Sequence, residues 1–318
     1  MARFTLPKIF FFFFLVTLTS CYRVSDHIEP RVNPLLEKSY LDSLSSPFSA
    51  LSFEERYSDW GREYTIALGF AKELDLYRAV STFKRAKILA PKDSDRALEI
   101  DYFICFCYYL GKKHDEVIAS FERSELPYMD ADFPAYRDLL ILLYESYIEL
   151  GKEEKAECIF HLIEKNDAKS AEQLRISSAL LHGDIPVLSS LAKESPYNQY
   201  LPSLLHQYEN CKKSVTLAQG LNTILPGAGY YYLGMKKTAA TAAVLNGLFI
   251  YASYYFFTHG PLAAAIIVTS FEMGWYFGGI YGAGEKAKFY NERLYEKIAT
   301  PIMNERKLFP VLMLRYGF

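Results

Sequence analysis

Few residues in this sequence have the types and the spacing that catalysis or metal binding requires. The six histidines are spread along the chain, and none has a metal-ligand spacing such as HExxH. No Gly-x-Ser-x-Gly segment marks a nucleophile elbow. The carboxylate in the most unusual setting is Glu272, which lies inside a long apolar run. We therefore expect a protein that is not an enzyme and that has no cofactor and no metal site.

A cysteine with possible acyl chemistry follows the apolar N-terminus. Residues 9–18 are almost wholly apolar, too few for a usual spanning helix and typical of a signal peptide. They end in Leu18-Thr19-Ser20-Cys21, which resembles the lipobox of bacterial lipoproteins. The resemblance implies that residues 1–20 are a signal peptide, that Cys21 is lipidated, and that the protein lies in the bacterial cell envelope. An ordinary signal peptide or an uncleaved anchor is the alternative.

Composition fits this setting without naming a function. The chain of 318 residues has a net charge of −2 and no basic block, so nucleic-acid binding is not expected. Four cysteines remain besides Cys21, and none shows a CxxC spacing. We expect free, buried thiols rather than a disulfide. Residues 21–58, interrupted by three prolines, are predicted to be a lipid-anchored linker.

Helical hairpins are predicted over residues 59–200. Small residues at Ala67, Ala79 and Ala86 would let two helices approach closely, and Phe70 and Phe83 would fill the space between them. The pattern recurs twice at intervals of about 38 residues and, more weakly, around Gly183. It resembles the tetratricopeptide repeat, which implies an array of hairpins whose first helices line a concave groove. An irregular helical bundle is the alternative.

The groove of such an array would bind a peptide or partner helix from the cell envelope. An aromatic stripe and an acidic stripe would line it, and aromatic side chains bring a large contact area at low entropic cost. The alternative is that the aromatic stripe is core and the acids are a solvated face. The predicted groove residues are Tyr64, Tyr102, Phe106, Tyr109, Asp138, Glu145 and Glu149.

A membrane helical hairpin is predicted over residues 237–285. Residues 238–257 carry no charge, residues 261–283 carry only Glu272, and both runs are long enough to span a bilayer. Small residues repeat every fourth position on both, as at Gly274 and Gly278, which favours close contact between helices. Asn246 and Glu272 lie thirteen residues either side of His259. We therefore expect them to form an intramembrane hydrogen-bonded pair, with a proton or ion site as the alternative.

A glycine-rich motif precedes this hairpin, in a segment, residues 201–236, predicted to be amphipathic and to lead into the membrane. The motif is Pro226-Gly227-Ala228-Gly229-Tyr230-Tyr231-Tyr232-Leu233-Gly234. Pro226, Gly227, Gly229, Tyr232 and Gly234 resemble the Pro-Gly-x-Gly-x-x-Tyr-x-Gly signature of TM2-like bacterial membrane domains. The resemblance implies a membrane location rather than a reaction.

The sequence as a whole predicts an all-α protein, with a TPR-like helical-hairpin array followed by a transmembrane hairpin and a tail at residues 286–318. The predicted function is that of a lipid-anchored envelope adaptor, with its repeats in the periplasm and the inner or outer membrane left open. An oligomeric channel or transport component using Glu272 is the alternative, and self-association through the hairpin fits either.

Lysines flank the hairpin on the exported side, against the positive-inside rule. Residues 312–318 alternate as in a strand.

Overall fold

The fold is helical throughout the part of the chain that the structure describes. A computed structural model describes residues 23–35, 37–91, 95–194 and 200–318, and it contains no β-strand over those residues. The all-α prediction is thereby confirmed. Cys21 and the predicted signal peptide, residues 1–20, lie outside the described residues.

Sixteen α-helices and one 3-10 turn, Leu126–Tyr128, lie within those ranges. The α-helices are α1 (Glu37–Ser43), α2 (Phe53–Tyr57), α3 (Asp59–Lys72), α4 (Leu76–Leu89), α5 (Asp95–Leu110), α6 (His114–Glu122), α7 (Tyr136–Glu149), α8 (Glu153–Asn166), α9 (Ala168–His182), α10 (Ile185–Glu194), α11 (Tyr200–Cys211), α12 (Val215–Ile224), α13 (Ala228–Tyr232), α14 (Lys236–His259), α15 (Leu262–Glu305) and α16 (Pro310–Met313).

The chain divides into two compact units. Residues Val32–Pro196 and Ala299–Phe318 form one, here called the array unit. Described residues 23–31 and 200–298 form the other, here called the apolar unit. The boundary between the two units falls inside the predicted linker and again inside the predicted tail. Each of these segments therefore contributes residues to both units.

The array unit contains four successive helical hairpins, α3–α4, α5–α6, α7–α8 and α9–α10, and each helix packs against the next. One residue with a left-handed backbone closes each turn: Leu74 at φ 59°, Lys112 at 54°, Gly151 at 66° and Gly183 at 64°. This conformation is strained for residues other than glycine, so Leu74 and Lys112 adopt it because the turn requires it. The hairpin array, with its weaker fourth member, is confirmed.

Small residues set the spacing inside the first hairpin. Ala67, Ala79 and Ala86 have no exposed surface, and Phe83 is fully buried beside them. The Phe83 ring stacks on that of Phe103 in α5, with centroids 5.7 Å apart, so it also joins the first hairpin to the second. Phe70 was expected to share this role, but it is only half-buried and lies under the guanidinium of Arg78, 5.5 Å from its ring centroid.

The predicted linker is packed rather than free. In the apolar unit, Val24 and Ile28 are buried, and Val24 joins a core with Val215, Ala218, Leu233 and Ala287. In the array unit, Val32 and Leu41 are buried. The predicted linker therefore contributes apolar side chains to the cores of both units, among them Val24, Ile28, Val32 and Leu41.

Helices α14 and α15 are each long and apolar enough to cross a membrane. Their side chains meet few protein neighbours: Leu248, Tyr254 and Phe271 are each at least 60% exposed. Apolar surface of this extent is rare on soluble monomers and suits contact with lipid chains.

Candidate functional site

The aromatic stripe predicted to line an open groove is buried. Tyr102 and Phe106 have no exposed surface, Tyr109 is 6% exposed and Tyr64 is 4% exposed. The prediction that these side chains are open to a partner is therefore wrong, and the alternative of a buried stripe holds. The reason is that distant parts of the same chain lie on top of the helices that carry them.

Phe318 covers the stripe from the C-terminal side. Its ring stacks on that of Phe106, with centroids 4.7 Å apart, and lies 5.6 Å from that of Phe103. Phe48, from the predicted linker, lies 5.8 Å from Tyr102 and 5.4 Å from Phe103. Aromatic pairs at these distances contribute about 0.5–1.5 kcal/mol each beyond the area that they bury. The face that a repeat groove would offer on α5 is thus occupied from within the chain.

Asp138, at the start of α7, holds the C-terminal segment (residues 308–318) by its backbone. Its carboxylate has no exposed surface, and Oδ2 accepts hydrogen bonds from the backbone N–H of Arg315 at 2.8 Å and of Tyr316 at 3.0 Å. Burial raises the pKa of Asp138, whereas these two N–H groups and Arg137 act in the opposite direction. Such charge-assisted bonds are stronger than neutral ones.

Arg137 completes this backbone-binding pair. Its Nη1 donates to Asp138 Oδ1 at 2.9 Å and to the carbonyl oxygen of Met313 at 3.0 Å. The neighbouring acid and base therefore bind two N–H groups and one C=O group of the same segment. These contacts are made to backbone groups and not to the side chains of the segment.

Asp167 binds a side chain of the C-terminal segment, that of Arg315. It caps the N-terminus of α9 by accepting from the backbone N–H of Ser170 at 3.1 Å, and its Oδ2 binds Arg315 Nη2 at 2.9 Å. The hydrogen bond from the Ser170 hydroxyl is the main cause of a lowered pKa at Asp167. The helix N-terminus and the arginine both favour the charged carboxylate. The C-terminal segment thus contacts the first helices of the second and third hairpins and the N-cap of the fourth.

Residues of the predicted linker close the other side of the segment. The Tyr40 hydroxyl donates to the carbonyl oxygen of Leu314 at 2.7 Å, and the Gly317 N–H donates to the carbonyl oxygen of Ser45 at 3.1 Å. A Cβ at Gly317 would lie 3.0 Å from the carbonyl oxygen of Leu41. The segment is therefore bonded along its backbone on both sides. It is not a strand, because residues 310–313 form the short helix α16.

The remaining predicted groove residues have separate roles. Tyr64 donates a hydrogen bond to the buried carboxylate of Glu99, which also binds Arg96 at 2.7 Å. Tyr109 donates to the half-buried Glu145. Glu149 is exposed. Of the predicted groove residues, Glu149 is the one whose side chain is exposed in the described structure.

In the apolar unit, the glycines of the predicted motif allow three helices to approach closely. Gly227 has φ 95°, and a Cβ on it would lie 2.4 Å from the carbonyl oxygen of Ala239 in α14. A Cβ on Gly229 would lie 2.2 Å from the carbonyl oxygen of Ala218 in α12. No side chain can occupy such positions without a backbone shift, which explains why both residues are glycine.

The other motif residues fix the entrance to α14. Gly234 has φ 80°, which closes the turn before that helix, and Pro226 is half-buried. The Tyr232 hydroxyl accepts a hydrogen bond from the Ser214 N–H at 3.1 Å, and the Lys213 ammonium lies 4.9 Å from its ring centroid. The motif is therefore a structural corner rather than a ligand-binding loop.

Asn246 and Glu272 are both buried, but the predicted hydrogen bond between them is not formed. Asn246 Nδ2 donates to the carbonyl oxygen of Ala242 at 2.6 Å within its own helix. Asn246 Oδ1 and both carboxylate oxygens of Glu272 have no partner in the described structure. Equal distance from the turn is thus not enough for the two side chains to form a hydrogen bond.

The small-residue stripe also has a different role from the one predicted. Cβ atoms built on Gly247, Gly274 or Gly278 would meet nothing within 4 Å. Gly274 and Gly278 line a cavity of about 560 Å³, together with Asn246 and Trp275. These three glycines thus leave space open instead of bringing two backbones into contact.

The other candidate chemistry is sparse. The structure forms no cluster of three or more histidine, cysteine or acidic side chains suited to a metal, as far as its described residues go. Cys105 and Cys107 are buried free thiols, as expected, whereas Cys158 and Cys211 are free and exposed. In comparisons with protein families, curated proteins and solved structures, the chain matches none.

We predict that Gly229→Ala destabilises the apolar unit, because the new methyl group would overlap the carbonyl oxygen of Ala218. Overpacking of this kind costs about 1–3 kcal/mol. Gly220→Ala is the matched control, since a Cβ there meets nothing within 4 Å. Thermal unfolding of the detergent-solubilised protein should show a lower midpoint for the first variant and an unchanged or higher one for the second. Equal midpoints would contradict the close approach of α12 and α13.

Proposed function

We propose that this chain is a membrane-anchored adaptor of the bacterial cell envelope, which holds a segment of a partner protein on its helical-hairpin array. One observation supports this more than any other. The face made by the first helices already binds a segment of this chain, residues 314–318, through backbone hydrogen bonds and one aromatic anchor. A surface with these groups is suited to bind peptides of other proteins.

The chemistry of that face favours binding over catalysis. Asp138 and Arg137 are engaged with each other and with backbone groups, so neither is free to move a proton at a substrate. Phe103 and Phe106 offer an apolar surface beside them. A central aromatic contact surrounded by satisfied polar groups is the usual composition of a protein-binding hot spot.

The proposed anchor has two parts. Cys21 in its lipobox-like sequence would carry acyl chains, and α14 with α15 would enter the membrane.

The lipid anchor predicts that a fatty-acid label attaches at Cys21. Cells grown with an alkynyl fatty acid should yield labelled protein, and Cys21→Ala should remove the label. Cys211→Ala is the matched control, because Cys211 is an exposed free thiol. A label that survives Cys21→Ala would show that the lipobox resemblance misleads.

The adaptor role is tested by photo-crosslinking in living cells. A photoreactive residue in place of Glu149, which is exposed on α7, should capture a specific protein. The same residue in place of Glu157, exposed on the second helix of that hairpin, serves as the control. We expect a stoichiometric partner at the first position and not at the second. Capture of nothing, or of other copies of this chain alone, would contradict the adaptor role.

A second candidate function rests on Glu272. A buried carboxylate without a partner is costly in a membrane helix and often marks an ion or proton path. If the apolar unit conducts ions, liposomes containing the protein should show ion flux that Glu272→Gln reduces by tenfold or more. If the protein is an adaptor, neither form shows flux, and the crosslinked partner is retained by the variant.

A further inference from the structure

We propose that the cavity between α14 and α15 binds an anionic amphiphile that carries a hydroxyl or amide N–H donor partway along its chain. The cavity has a volume of about 560 Å³, which is in the usual range for pockets that bind small molecules. It lies wholly within the apolar unit. The inference therefore depends on neither the array nor the proposed adaptor role.

Hydrogen bonds between helices hold the floor of the cavity in place. The Tyr230 hydroxyl in α13 donates to the carbonyl oxygen of Gly279 in α15 at 3.3 Å. The Tyr276 hydroxyl in α15 donates to the carbonyl oxygen of Thr223 in α12. Both tyrosines line the cavity. Because these bonds join α12 and α13 to α15, they fix the shape of the cavity.

Two glycines keep the cavity open to the outside. Gly274 and Gly278 are exposed, and a Cβ on either would meet nothing within 4 Å. Trp275, between them in sequence, also lines the cavity and is 51% exposed. The cavity thus opens on the apolar surface of two helices that are long enough to cross a membrane. A molecule with a hydrocarbon chain can enter from that side.

The cavity wall contains a buried amide oxygen that needs a donor. Asn246 lines the cavity and is only 4% exposed. Its Nδ2 donates to the carbonyl oxygen of Ala242 at 2.6 Å, but its Oδ1 has no partner among the described residues. An unpaired buried acceptor is costly. A hydroxyl or amide N–H on a bound ligand would supply the missing donor, whereas a plain hydrocarbon chain would not.

A cation lies at the other end of the cavity. Lys237 is exposed, lines the cavity, and forms no ion pair with any described residue. The hydroxyl groups of Thr238 and Thr241 line the same end, and none of the lining residues is acidic. This charge favours a ligand with an anionic group. At the rise of an α-helix, Lys237 and Asn246 are about 14 Å apart along α14, so the ligand's donor should lie well down its chain from the anionic group.

Three related probes separate these two requirements. Ricinoleate carries a carboxylate and a hydroxyl near the middle of its chain, oleate lacks the hydroxyl, and methyl ricinoleate lacks the charge. Native mass spectrometry of the full-length protein, released from a non-ionic detergent, measures how much of each probe is bound. We expect one ricinoleate per chain, bound about tenfold more tightly than oleate because of the hydrogen bond to Asn246. It should bind about threefold more tightly than methyl ricinoleate, because ion pairs at exposed lysines are weak.

Matched variants assign each preference to its residue. Asn246→Leu should bind ricinoleate and oleate equally, and Lys237→Gln should bind ricinoleate and methyl ricinoleate equally. Lys236→Gln is the control, because Lys236 is exposed but does not line the cavity. It should keep both preferences. If the unaltered protein binds all three probes equally, or binds none of them, the proposal is overturned.

Filling the cavity provides an independent test. Gly274→Leu should abolish ricinoleate binding, because the new side chain would occupy the cavity. Gly247→Leu is the control, since a Cβ there also meets nothing within 4 Å but Gly247 does not line the cavity. Thermal unfolding checks that both variants are folded. Ricinoleate binding that survives in folded Gly274→Leu would contradict the proposal. So would a dimer that binds no ricinoleate and that Gly274→Leu dissociates, because a second copy would then fill the cavity.

Discussion

The array unit depends on one constraint, which is that the buried carboxylate of Asp138 must be hydrogen-bonded. It has no exposed surface, and its two backbone donors come from Arg315 and Tyr316, more than 170 positions along the chain. A buried charge is tolerated only when it is paired and bonded, so α7 can be stable in this form only with the C-terminal segment beside it. That requirement links the packing of the array to its binding chemistry.

The helical hairpins could be predicted because their signals are local. Small residues such as Ala67 and Ala79, and turns at Gly151 and Gly183, indicate hairpins within about thirty residues of sequence. The state of the aromatic stripe could not be predicted. Tyr102 and Phe106 have the same spacing whether they face a partner or a distant part of the same chain, and Phe318 decides between the two. A charged residue directly before the apolar run 139–143 was the one local sign that Asp138 would need a partner.

The apolar unit shows the same division between local and non-local information. The motif at Gly227 and Gly229 was predicted to precede a hairpin, and the contacts that a Cβ on either residue would make explain why both are glycine. Counting from the turn set Asn246 and Glu272 at similar depth, yet they are not hydrogen-bonded, because helix rotation is fixed by packing that the count does not contain. The open space at Gly274 and Gly278 likewise depends on how the helices pack, which the spacing of the glycines does not specify.

Hydrogen exchange at the backbone amides of Arg315 and Tyr316 tests most directly whether Asp138 holds the C-terminal segment on the array. We predict slow exchange of both amides in the unaltered protein. Asp138→Ala should make them exchange rapidly while the amides of α3 and α4, which lie in another hairpin, keep their protection. Rapid exchange of the Arg315 and Tyr316 amides in the unaltered protein, or equal protection with and without the carboxylate, would contradict the account.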